Sequence, residues 1–196
     1  AQMDDGQIVA QLRAHLKQGV AVSEFLCNAI ESRNLSEKLI PLLGGTEDEK
    51  AYALNLLGAC RQALPEYMRL ICSDESEDIK NTCVDFAKEF ADEVKELALE
   101  NYGKGVEKEY MLEILSRCVL KDERIYEILI REFRSDGENV PMHASYLAAY
   151  GDERALCYLL DKIDEEGISF IEYQELKYAI ESLGGSYEKE RDFSSD

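Results

Sequence analysis

Asp122-Glu123-Arg124-Ile125-Tyr126-Glu127-Ile128-Leu129-Ile130 recurs thirty residues later as Asp152-Glu153-Arg154-Ala155-Leu156-Cys157-Tyr158-Leu159-Leu160. Each copy opens a run of apolar residues at helical spacing, and a leading Asp is a helix N-cap residue. A thirty-residue period is about the length of two short helices and their turns. It points to stacked helical hairpins, an architecture that buries apolar surface between neighbouring units.

Composition agrees with an all-α chain. Of 196 residues only 3 are Pro and 12 are Gly, so few breakers interrupt helical patterns. Hydrophobic residues make up 45% and charged residues 32%, the balance of a folded globular chain. The 41 acidic and 22 basic residues give a net charge of −19. Such a chain lacks the positive footprint that a nucleic-acid backbone or an anionic membrane surface requires. The same field would steer a basic protein partner.

The six cysteines, Cys27, Cys60, Cys72, Cys83, Cys118 and Cys157, are scattered without a C-x-x-C pair. Most lie in apolar helical patterns, as expected of reduced, buried thiols in a cytoplasmic protein. The acidic start, Ala1-Gln2-Met3-Asp4-Asp5-Gly6, has no apolar signal segment, and no apolar run is long enough to cross a bilayer.

Along the chain, Ile8, Leu12 and Leu16 mark a first helix, and Val22, Phe25, Leu26, Ala29 and Ile30 a second. Asn34 with Glu37 predicts a capping box for a short helix through Leu43, ended by Gly44-Gly45. Thr46 with Glu49 predicts a stronger one. Pro65 is placed as a first helical residue. From Glu75, the spacing of Ile79, Cys83, Phe86, Phe90, Val94 and Leu97 predicts one uninterrupted helix to Gly103, about 37 Å long. It would be a bend or a junction between two halves of the chain. Further helices are expected from Val106 to Leu120, Asp122 to Arg134, Pro141 to Tyr150 and Asp152 to Leu160. A last one carries Tyr173, Leu176, Ile180 and Leu183. Ser135-Asp136-Gly137 reads as a turn, and Ser186 to Asp196 as a mobile polar tail.

Leu147-Ala148-Ala149-Tyr150-Gly151-Asp152-Glu153-Arg154-Ala155-Leu156, followed by Leu159-Leu160, resembles a HEAT-like repeat. In that pattern a helix ends in Leu-Gly, an Asp caps the next helix, and Arg-Ala-Leu begins it. Ile180-Glu181-Ser182-Leu183-Gly184-Gly185 is similar to the end of the following unit, and Leu56-Leu57-Gly58 and Leu42-Leu43-Gly44 are weaker echoes. The resemblance is good over residues 106–185. It implies a HEAT/armadillo-like α-α superhelix of stacked antiparallel hairpins, a single α-solenoid domain over residues 1–185, whose second helices line a concave face. Some HEAT-like proteins act on bilins and others on alkylated DNA. The acidity speaks against the DNA branch, and no residue points to a bilin.

Reaction centres are sparse. Asp161 to Glu172 has the length of a calcium loop, but Ile163 and Glu166 occupy positions that need an oxygen ligand and a Gly. The two histidines, His15 and His143, lie outside metal-binding spacings, and Cys118 with His143 has no supporting nucleophile motif. No phosphate loop or nucleophile elbow is present. The expectation is therefore a non-catalytic protein, with no metal and no cofactor.

Tyrosine is the remaining signal: 11 Tyr against no Trp. On the last helix Tyr178 lies about 200° from Leu176, away from the core stripe. Tyr146 leans from the inward face of the Pro141 helix. The two rings are expected to face one groove from neighbouring second helices, flanked by Glu175 and Glu181. Tyr146, Glu175, Tyr178 and Glu181 are thus the expected partner-binding residues of an acidic concave face on a protein-interaction scaffold. An immunity or inhibitor protein neutralising a basic toxin or nuclease is one alternative. A small helical enzyme or ligand-binding domain is another.

Overall fold

The computed structural model describes residues 3–135, 137 and 139–193. Turn position Asp136 and the last three tail residues therefore lie outside the described residues. Those residues form helices and turns with no strand, and no helix among them is long and apolar enough to cross a membrane. The chain divides into two compact units, Ala1–Phe90 and Ala91–Asp196.

The first unit holds α1 (Asp5–Lys17), α2 (Glu24–Ser32), α3 (Glu47–Leu57), α4 (Leu64–Ile71) and α5 (Glu77–Lys88). Helix α1 packs on α2 and α3, and α5 on α3 and α4, around Leu12, Leu26, Leu39, Tyr67 and Ile71. Helix α3 starts as its sequence dictates. Thr46 Oγ1 accepts from the Glu49 amide, and Glu49 Oε2 accepts from the Thr46 amide at 2.9 Å. Glu49 is buried and also meets Arg13 Nε at 3.3 Å. Burial pushes its carboxyl up, but the Thr46 amide and Arg13 outweigh this and hold it below the usual carboxylate value. Gly45 makes room for the arrangement, since a Cβ there would lie 1.6 Å from Glu49 Oε2.

Two expectations about this unit are corrected. Asn34 is not a cap: it sits at φ 53°, in the left-handed region, and Ser36–Gly44 forms a 3-10 helix with Pro41 inside it. Pro41 lacks the amide a regular α-helix would use, and the 3-10 winding puts Leu39 and Leu42, three apart, on one face; Leu43 is buried as well. The long helix from Glu75 is also absent. Helix α5 ends at Lys88, and Glu89 and Phe90 bond three residues back, to the Phe86 and Ala87 carbonyls. No Gly or Pro causes this. The boundary between the two units falls at this break.

The second unit contains three hairpins: α6 (Ala91–Gly103) with α7 (Lys108–Leu115), α8 (Glu123–Ser135) with α9 (Val140–Tyr150), and α10 (Leu156–Ile163) with α11 (Phe170–Ser182). The second helices also pack on one another, α7 on α9 and α9 on α11. The repeated Asp-Glu-Arg motif joins the hairpins. Asp122 accepts from the Arg124 amide at 3.0 Å and from its guanidinium at 3.0 and 2.7 Å. The other edge of that guanidinium donates to Glu96 on α6 at 3.0 and 2.7 Å. Arg154 repeats this on Asp152 and on Glu123 of the preceding hairpin, at 3.1 and 3.0 Å for the latter. It also lies 3.9 Å over the Tyr126 ring. Tyr150, at the end of α9, accepts from the Asp122 amide at 2.8 Å and donates to its carbonyl at 3.0 Å. Gly151 follows at φ 73°, the left-handed end that a Cβ disfavours.

Helix α7 is shorter than the expected Val106–Leu120. Glu107 is left-handed, and after Leu115 the Asp92 carboxylate of α6 takes the Val119 and Leu120 amides at 3.0 and 3.1 Å. Those two side chains are left exposed. Helix α10 opens through a 3-10 turn at Glu153–Ala155. After α11, Ser186 to Phe193 contacts the α10–α11 hairpin. Tyr187 and Lys189 both donate to Asp164 at 2.7 Å, Arg191 donates to the Ile163 and Glu165 carbonyls, and Phe193 meets Tyr173 and Phe170.

Two predictions follow from these contacts. Gly45→Ala displaces Glu49 and lowers stability by about 2 kcal/mol, measurable by urea unfolding. Arg154→Gln lowers the thermal midpoint at pH 7. Asp152 is held below its usual 3.8 by Arg154, so its contribution is present above that pH and is lost as pH falls through the folded value. The midpoint difference between Arg154→Gln and wild type therefore shrinks in acid, and it shrinks again in high salt.

Candidate functional site

The row α7–α9–α11 carries a groove of about 420 Å³. Glu113, Ser116 and Arg117 line it from α7 and the residues just after that helix. Ser145, Tyr146, Ala148 and Ala149 come from α9, and Tyr178 and Ser182 from α11. The geometry comes from helical spacing. Ser145, Ala148 and Ala149 recur at three and four residues, so small side chains form one strip of α9 and leave the hollow open. Tyr178 and Ser182 are four apart on α11 and form the facing wall.

Of the four expected binding residues, the structure brings Tyr146 and Tyr178 to this groove. Glu175 is half-buried and Glu181 exposed on α11, and neither lines it. The two rings differ in exposure. Tyr178 is 64% exposed, whereas Tyr146 is only 7% exposed. Ala148 is half-buried at the groove.

Sequence reading missed Arg117, because the predicted helix ran through it to Leu120. The early end of α7 places it at the groove. The Glu113–Arg117 spacing of four was the available signal.

Polar groups in the groove fall into two classes. Ser116 and Ser145 spend their hydroxyls on the Glu113 and Met142 carbonyls, at 2.7 and 2.6 Å. Arg117, Tyr178 and Ser182 make no side-chain hydrogen bond or ion pair with a described residue, and the Tyr146 hydroxyl also lacks a hydrogen bond. Burial, reinforced by the Glu113 and Glu109 carboxylates, pushes the Tyr146 phenol well above its ordinary value of 10.0.

The comparisons with family models, curated proteins and solved structures give no match. The functional reading therefore rests on the residues themselves.

Other candidates are placed as follows. His143 is buried with neither ring nitrogen hydrogen-bonded; its Nε2 lies 3.5 Å from Glu109 Oε2 without the alignment of a hydrogen bond. Its ring is 5.9 Å from that of Tyr146. Cys118 is buried, and burial pushes its thiol up to about 11, which leaves little thiolate. No disulfide joins the six cysteines; Cys83 and Cys118 are buried, Cys27, Cys60 and Cys72 half-buried and Cys157 exposed, so fewer are buried than expected. No metal-holding group of His, Cys, Asp or Glu occurs among the described residues. The acidic turn after α10 instead receives Tyr187 and Lys189 on Asp164.

A second hollow, of about 550 Å³, lies on α8 and α10 beside Tyr126, Arg131, Arg134 and Tyr158. Its arginines are engaged, Arg131 on the Tyr102 hydroxyl at 3.1 Å and Arg134 over the Tyr158 ring at 5.5 Å.

The Tyr146 phenol gives a pH prediction. Its folded value is raised, so the neutral phenol's contribution is fully present below pH 10.0 and is lost as pH rises through the folded value. Tyr146→Phe removes that ionisation and moves the alkaline unfolding midpoint to higher pH, as followed by helical circular dichroism.

Proposed function

We propose that the protein is a non-catalytic interaction scaffold of HEAT-like repeats, an α-solenoid acting in the cytoplasm. Its groove between α7, α9 and α11 holds a segment of a partner protein. The observation that carries this reading is the meeting of Tyr146 and Tyr178 in one open hollow with unengaged donors. A ring of Tyr offers large contact area at low entropic cost, and unspent donors select among segments. Pairwise packing of the second helices and the thirty-residue clamp support the repeat architecture.

The net charge of −19 supports fast encounter with a basic partner. An inhibitor of a basic toxin or nuclease is the version of this scaffold that would use that field most.

Capture from cell lysate tests the reading, with wild type, Tyr178→Ala and Phe25→Ala immobilised side by side. Phe25 is similarly exposed, at 61%, but lies in the first unit. Tyr146→Ala is unsuitable, because emptying a buried ring site costs about 3 kcal/mol of stability. The expected outcome is a protein retained by wild type and Phe25→Ala and depleted about tenfold on Tyr178→Ala. Equal retention by all three baits places the binding surface elsewhere.

A further inference from the structure

We propose that the groove anchors its partner segment through a carboxylate side chain, received by the Arg117 guanidinium and the Tyr146 hydroxyl. This deepens the binding reading above and rests on it.

The first argument is the state of Arg117. Acids outnumber bases 41 to 22 in this chain, and Arg124 and Arg154 each hold two carboxylates. Arg117 is exposed at the groove and pairs with none among the described residues. An unpaired guanidinium with five fixed donors matches a planar carboxylate better than any other protein group.

The second argument is independent and comes from Tyr146. The residue is 7% exposed and lines the groove, and its hydroxyl makes no hydrogen bond with a described residue. That hydroxyl still reaches solvent in the groove, where a ligand acceptor can take the bond that water otherwise takes. The phenol remains protonated across the ordinary pH range, so it can donate to an anion. Tyr178 and Ser182 add further unspent hydroxyls.

The surroundings also limit the anchor to one charge. Glu113 lines the same groove, and the overall field repels anions. An acidic run would therefore be rejected at long range, while one Asp or Glu within an uncharged or basic segment would pass and be fixed by Arg117.

The test uses the full chain and random peptides displayed as N-terminal fusions, which have no free C-terminal carboxylate. Peptides selected on wild type are then measured against Arg117→Gln, Tyr146→Phe and a control, Arg134→Gln, on the other hollow; thermal unfolding confirms that each variant is folded. The expected peptides share a single Asp or Glu in an uncharged or basic context. Their affinity falls roughly tenfold to a hundredfold for Arg117→Gln and less for Tyr146→Phe, and is unchanged for Arg134→Gln. Replacing the peptide's acid by its amide gives the same loss on wild type and little further loss on Arg117→Gln. Peptides that need Tyr178 but bind without an acid overturn the carboxylate anchor and leave the groove reading standing. Failure of wild type to select any peptide overturns both.

Discussion

Arg124 and Arg154 convert helix capping into a link between hairpins. An Asp cap ordinarily satisfies one orphan amide of its own helix. Here the cap carboxylate also holds the guanidinium two residues on, and the free edge of that guanidinium reaches the first helix of the preceding hairpin. A guanidinium is planar and its donors are fixed, so both carboxylates must lie close to its plane. Register between hairpins is set at the rim, while apolar packing fills the interior. Tyr150 adds a second tie, returning from the end of α9 to both backbone polar groups of Asp122.

The groove lies on the second helices of the same three hairpins. Its walls are α7, α9 and α11, and its depth comes from Ser and Ala on the middle helix. A small-residue strip alone would let neighbouring helices close together. Tyr146 lines the hollow beside that strip, 7% exposed and with its hydroxyl unspent. Exposed clamps contribute modestly one at a time. Their planar geometry ties the first helices of successive hairpins to one another.

Much of the helical layout was legible because caps and breakers are local chemistry. Thr46, Pro65, Asp122, Pro141, Gly151 and Asp152 each mark a boundary near where one occurs. The misses have a different cause. At Glu89–Phe90 no Gly or Pro signals a stop, and local sequence carries no mark of the break. At Ser36–Gly44 the apolar pattern was real, but Pro41 and the left-handed Asn34 altered the winding. Helix α7 ends early because Asp92, more than twenty residues away, captures two amides. The same miss hid Arg117. Helical angle placed Tyr146 and Tyr178 correctly as neighbours, but angle alone could not give the 7% exposure of one against 64% of the other.

Glu153 occupies in the second motif the place that Glu123 holds in the first. Glu123 receives Arg154, whereas Glu153 is exposed and receives no arginine among the described residues. The first copy of the motif thus carries both halves of the joint, Arg124 reaching back to Glu96 and Glu123 receiving Arg154. A duplicated thirty-residue stretch would bring its own matching connector, with no compensating change elsewhere. Growth by tandem duplication is in this sense already written into the three residues, and chain length can change while the joint stays the same.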